Sequence, residues 1–418
     1  MSEKQTYESR AKRMRDAIAL QEPDCIPVMP NVQCFPYFHA GYTMADILYD
    51  TDMVKAKDAL FRYLDEFQPD AVFGHSYVNI GQGPIMELAA PKTMRWAGMP
   101  GQLVEDDSIH QFIEFPILED DEFDEFCKDP SRWALCKGMP RSAGVLEPLA
   151  SFDPHGIGVF NNYGPAAAVF SSPEFKKMIE TLWKINALLE ELSAKSRKLD
   201  QEIEEHGYPI PATGMAMVPF DNYSDFYRGT LNASYDLYEH PDVIKAFCEE
   251  QLESTLQSVR FQAQLMPGKM VFMPLHKGME GFMSDEHYRE FYWCHLQTII
   301  NTIIDAGMVP FIYTEGKYDS RLECLKEVPK GKVFYSFEEI NFAEAKRVLG
   351  DTAAIMCGVS SFLLTYGTKE QVIDETKRII DICAPGGGFV LSSNMGLDYA
   401  KPENLAAMIE TARTYGKK

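Results

Sequence analysis

The chain has 418 residues, 45% of them hydrophobic and 12% aromatic, and a formal charge of -22. That is enough apolar material for one large α/β core, while the charge repels polyanions and so excludes nucleic acid and an anionic membrane surface as partners. The nine cysteines are scattered without a CxxC pair, and neither a leading apolar signal nor an apolar run of ~18 residues is present, which predicts a reduced, cytoplasmic, non-membrane protein.

In chain order, residues 1–20 read as a basic-faced helix stopped before Pro23, and 26–29 as a first strand followed by an aromatic-rich loop. Helical pattern over 43–50 and 52–67 leads to a second strand at 71–75, whose glycine-rich continuation 76–84 is suited to line a pocket. The stretch 94–165 is polar and proline-rich and predicts a cap-like excursion, its acidic run 119–122 a solvated face and 160–165 a turn. A long helix is expected over 173–205, with an apolar stripe first and a highly charged, partly projecting tail. Such a helix suits an oligomer contact, and a homodimer is one expectation.

Further strands are expected at 215–220, 269–274, 309–313, 332–337, 352–356 and 388–391, interleaved with helices over 236–255, 284–306, 370–383 and 402–415. Ser284 is placed to cap its helix, with Asp285 and Glu286 in the first turn. Eight β-then-α units predict an α/β fold of the (β/α)8 barrel type, a single domain over 1–418, with an open doubly wound sheet as the competing arrangement. No GxGxxG follows an early strand, so dinucleotide binding has no support.

Ligands of such folds bind at the C-terminal ends of the strands. The strand ends here deliver Asp221, His276, Glu315, Glu338, Cys357 and Asn394. Glu315, Glu338 and Cys357 make a candidate zinc site of oxygen and sulfur donors, with His276 a further nitrogen. Zinc there would polarise an ether oxygen or hold a thiolate, with His276, Glu315 and Asp221 as the catalytic side chains and His276 as proton donor to the leaving group. Tyr37, Tyr77 and Tyr223 are expected to stack on a flat substrate, and Arg321 and Asn394 to contact its polar groups.

The segments RDAIALQEPDCIPV (15–28), EGFMS (280–284) with FYW (291–293), GTKEQV (367–372), GGFVL (387–391) and KPENLAAM (401–408) together resemble the uroporphyrinogen decarboxylase superfamily, and within it the corrinoid-dependent methyltransferases. The resemblance implies a β/α barrel with its cleft at the strand ends. PNVQ (30–33) stands where the decarboxylases carry an arginine-bearing loop, which argues against porphyrinogen decarboxylation. Tyr313 and Glu315 stand where the coenzyme M branch has His-x-Cys, so the thiol-activating site is absent in that form. The O-demethylase branch implies zinc on Glu315, Glu338 and Cys357, a methylated donor such as an aromatic methyl ether, and transfer to the Co(I) corrinoid (cobalamin) of a small separate protein. Methyl transfer from corrinoid to a thiol or folate, and decarboxylation, are the alternatives.

Overall fold

The computed structural model describes residues 6–101, 103–154 and 163–417. Two short antiparallel strands, β1 (Met94–Arg95) and β2 (Gln111–Phe112), lie in the expected excursion. The architecture is set by six parallel strands in sequential order: β3 (Ala212–Met215), β4 (Met270–Leu275), β5 (Val309–Lys317), β6 (Phe334–Glu339), β7 (Ala354–Val359) and β8 (Phe389–Ser393). The last five coincide with expected strands to within a few residues. β3 lies earlier than expected and ends at Met215, since Pro219 opens a helical turn over Pro219–Asn222 where the strand was expected to continue.

The first two expected strands are not regular strands. Each makes one parallel bridge, Val28 to Leu391 and Asn31 to Phe73. Hydrogen bonds from Met29 N to Leu391 O (2.9 Å), Asp70 N to Val28 O (2.8 Å) and Val72 N to Pro209 O (2.9 Å) run the two segments on from the β8 edge. Pro27 and Pro30 lack the N–H donors that a full ladder needs, and Gly74, at φ +87°, turns the second segment away. The eight-strand expectation is thus corrected to a six-stranded sheet extended by two bridging segments.

Strand alternation sorts side chains onto two faces. One face carries Met270, Phe272, Phe311, Tyr313, Phe334, Ala354, Met356 and Val390, joined in one buried cluster by Met29 and Phe73. Its rings meet edge-on or stacked, with Phe311 centred 4.8 Å from both Phe73 and Phe334. The opposite face, with Val271, Ile312, Tyr335, Ile355, Cys357 and Leu391, packs into the larger cluster formed with the helices. Where β7 meets β8 only glycine fits, since a Cβ on Gly358 would stand 1.4 Å from Ser392 O.

Ser284 caps its helix as expected, accepting from His287 N at 3.1 Å. The 33-residue helix Pro173–Glu205 exposes Trp183 and Leu189 at mid-length, whereas Leu199 and Ile203 in its charged tail are buried. The expected turn at 160–165 falls partly outside the described residues, and from Tyr163 onward the chain is helical to Phe170. Among the described residues no helix is long and apolar enough to cross a membrane.

A buried ion pair ties the first helix, Tyr7–Ile18, to the bridging segments. Arg13 Nη1 donates to Asp70 at 2.8 Å, while Asp70 also accepts from Val28 N at 2.9 Å and is fully buried. Arg13 is held by Asp24 as well (2.7 and 2.9 Å), whereas the fully buried Asp70 has Arg13 as its cation, so removing Arg13 strands the Asp70 charge. Arg13→Ala is expected to cost about 3–5 kcal/mol in urea unfolding, whereas Lys12→Ala, which breaks the surface pair with Asp16, is expected to cost about 0–1 kcal/mol. Equal effects would show that the buried pair does not anchor the helix.

Candidate active site

The strand face that carries Phe272 and Tyr313 continues, two residues at a time, to His276 beyond β4, Glu315 at the end of β5 and Glu338 at the end of β6. Period-two alternation therefore brings these three to one mouth. They line a cavity of about 650 Å³ together with Asp225, Lys277 and Phe112.

His276 is held on both ring nitrogens. Nδ1 meets Asp225 in a short contact, and Nε2 lies 3.7 Å from Glu315 Oε1. Lys277 Nζ reaches the other oxygen of Asp225 at 3.2 Å. Beneath them Asp221, fully buried, accepts from His276 N at 3.1 Å, Lys277 N at 2.9 Å and Tyr292 Oη at 2.5 Å. Glu338 accepts from Gly316 N at 2.7 Å, fixing the bulge of β5 between Thr314 and Lys317. Asn394 donates to Glu338 O at 3.3 Å and accepts from Ser361 N at 2.8 Å, so it supports the Glu338 backbone.

The electrostatics follow from this packing. Burial opposes a charge on His276, but the hydrogen bond to Asp225 and the fields of Asp221 and Glu315 outweigh it and raise its pKa to about 9. Burial pushes Asp221 up to about 6, with the His276 charge pulling the other way. Burial likewise raises Glu315, which His276 partly offsets and Glu338 reinforces. His110, also on the cavity wall, is lowered by burial. At neutral pH the site thus presents an imidazolium whose Nδ1–H is committed to Asp225 and whose Nε2–H faces Glu315 and the cavity. That is the arrangement of a general acid.

The zinc expectation is overturned. Among the described residues no group of three or more His, Cys, Asp or Glu could hold a metal ion. Cys357 has the wrong parity: Ala354 and Met356 share the face of Glu315, so Cys357 points to the helix layer, where it is 1% exposed and lies 3.8 Å from Cys383 Sγ. The donor set of Glu315, Glu338 and Cys357 does not converge.

Of the expected substrate contacts, Tyr37 is fully buried and donates to His75 O at 2.8 Å, and Tyr223 is buried and donates to Asp236 at 2.7 Å. Arg321 is 2% exposed, donates to Met283 O at 2.6 Å and Gly278 O at 3.2 Å, and pairs with Asp285. These three stand in the packing around the site. Tyr77 lies over the inner cluster, 5.1 Å from Phe272. The side chains not singled out from sequence are Asp225, Lys277 and Tyr292, with His110, Phe112 and Glu114 from the excursion. The i, i+4 spacing of Asp221 and Asp225 was the available signal, since it puts both carboxylates on one face of a helical turn.

A family model described as uroporphyrinogen decarboxylase (URO-D) matches residues 165–415, a span that holds all six parallel strands and the His276 centre. No curated protein sequence matches the chain. Among solved structures, a methyltransferase from Methanosarcina mazei superposes with a TM-score of 0.60 at 14% identity, covering 99% of each chain. At that identity the likeness is one of fold. The chain belongs to the uroporphyrinogen decarboxylase family.

Proposed function

We propose that this is an enzyme of the methyltransferase and decarboxylase type whose central step is proton delivery by His276 to an atom that becomes anionic as its bond to carbon breaks. The observation that carries this is the placement of His276, with Nδ1 in contact with Asp225 and Nε2 facing the cavity 3.7 Å from Glu315 Oε1. Of the reactions open to such an acid we propose methyl transfer from a small methylated molecule, with an aromatic methyl ether as the preferred donor. As the methyl–oxygen bond breaks, both electrons stay on oxygen, and the Nε2 proton of His276 neutralises it. A phenol, with a pKa near 10, is well matched to a donor at about 9.

A corrinoid on a separate protein would supply the cobalt nucleophile that accepts the methyl group. The cavity of about 650 Å³ suits a small donor, with the corrinoid brought to its open mouth by the partner. Methyl transfer from a corrinoid to a thiol or folate is the alternative direction, supported equally by the family and the fold, with the carboxylates of the cavity available as bases.

Decarboxylation is the second reading, favoured by the description of the matching family. The same acid would protonate the carbanion left when CO2 departs. Against a polycarboxylate substrate stands the lining itself, where Asp225, Glu315 and Glu338 outnumber the cations His276 and Lys277, both already paired.

For the fold we propose that segments 26–32 and 70–73 complete a closed (β/α)8 barrel in one domain, with 94–165 as its cap. Their bridges to β8 and to each other, and their share of the inner cluster, support this.

These measurements test the reading. With a reduced corrinoid protein and methoxylated phenols, the corrinoid spectrum is expected to change in step with release of the free phenol. Release of CO2 from aromatic acids with no methyl loss from any ether would replace methyl transfer by decarboxylation. His276→Gln is expected to lower kcat by about 10²–10⁴-fold with little change in KM. In the wild type, activity that depends on protonated His276 should hold below pH 9 and fall as pH rises through about 9. Asp225→Asn, by removing the charge that stabilises the imidazolium, should move that fall to lower pH, and an unmoved alkaline limb would remove His276 from the role of acid.

A further inference from the structure

On the helix side of the sheet, away from the His276 cavity, two thiols meet. Cys357 of β7 and Cys383, in the last turn of the helix Lys369–Cys383, lie with their sulfurs 3.8 Å apart in hydrogen-bond contact. The other buried cysteines, Cys25, Cys34, Cys248 and Cys324, have their thiols pushed up by burial. The pair is different in its surroundings as well as its contact. The Lys346 ammonium, held by Gly387 O at 2.6 Å, and the Arg378 guanidinium both act on it. The contact with Cys357, with those cations behind it, draws Cys383 below the ordinary thiol range despite burial.

We propose that Cys357 and Cys383 form a peroxide-sensitive dithiol that closes to a reversible disulfide joining β7 to the helix Lys369–Cys383. The sulfurs need to close from 3.8 Å to the ~2.0 Å of a disulfide. A cavity of about 360 Å³ lined by Ile380, Ala384 and Gly387 lies beside the end of this helix, while Cys357 and Cys383 are each 1% exposed. The Cys383 thiolate attacks one peroxide oxygen, the O–O bond breaks, and hydroxide leaves to take up a proton. The Cys357 thiol then attacks the resulting sulfenic sulfur, its proton and the sulfenic hydroxyl depart as water, and the S–S bond forms. In sum two thiols and one hydrogen peroxide become one disulfide and two waters.

The test is independent of the enzymatic reading. The folded full-length protein is treated with one equivalent of hydrogen peroxide, blocked with an alkylating agent and mapped by non-reducing peptide mass spectrometry. The expected result is a Cys357–Cys383 linked peptide pair, lighter by two hydrogens and restored by dithiothreitol, formed ahead of any change at the exposed Cys127 and Cys294. The thermal midpoint of the oxidised wild type should rise by several degrees, as expected of a cross-link that closes a loop, with no rise in Cys383→Ser. Consumption of Cys127 and Cys294 while Cys357 and Cys383 are recovered as separate alkylated thiols would overturn the proposal, as would a cross-link from Cys383 to another cysteine. The mapping of the wild type decides the matter even if the variant does not fold.

Discussion

The geometry of the site rests on Asp221. A fully buried carboxylate is costly unless its oxygens are satisfied, and here two backbone amides and the Tyr292 hydroxyl do so. Those three donors belong to parts of the chain distant in sequence, the turn after β4 and the π-helical turn Tyr288–Trp293, while Asp221 itself lies in the helical turn after β3. One side chain therefore fixes where the β4 end sits against its neighbours. The carboxylate one helical turn on, Asp225, then falls against the ring of His276. Without Asp221 the amides of His276 and Lys277 would be orphaned at the point where the acid must be held.

That arrangement explains why the histidine is charged in a partly closed cavity. Burial alone would make it neutral, as at His110. What differs at His276 is the number of acceptors, with Asp225 in contact, Glu315 within 3.7 Å and Asp221 under the backbone. The same charge answers the crowding of the carboxylates, since His276 holds down both Asp221 and Glu315. His276 and the carboxylates thus stabilise one another, so the charges that face the cavity are set in place by the fold.

Much of the fold was legible. From β4 onward each buried strand is a short apolar run closed by polar residues, and helices of four to fifteen residues follow them, so period and punctuation agree. The N-terminal third was harder, because Pro27 and Pro30 sit inside segments that are apolar enough to read as strands yet cannot supply a full ladder. The excursion was legible as irregular, but that His110, Phe112 and Glu114 return to the cavity is a tertiary fact. Tyr37, Tyr223 and Arg321 were drawn into the site by position alone. Each instead meets its hydrogen-bonding needs inside the protein, as buried polar tips must.

The zinc triad failed on a simpler ground, and one available from the sequence. Side chains on a strand alternate, so a strand end delivers to the mouth only residues of the parity that faces inward. Glu315 and Glu338 keep step with Tyr313 and Phe334, which belong to the inner cluster. Cys357 is out of step with Met356, and the inward place next to it is taken by Gly358, which the crossing of Ser392 O requires to be bare. Being adjacent to a strand's C-terminal end is therefore not enough to reach the mouth. The thiol that proximity assigned to a metal is directed by the pleat to the helix layer, where its neighbour is another thiol.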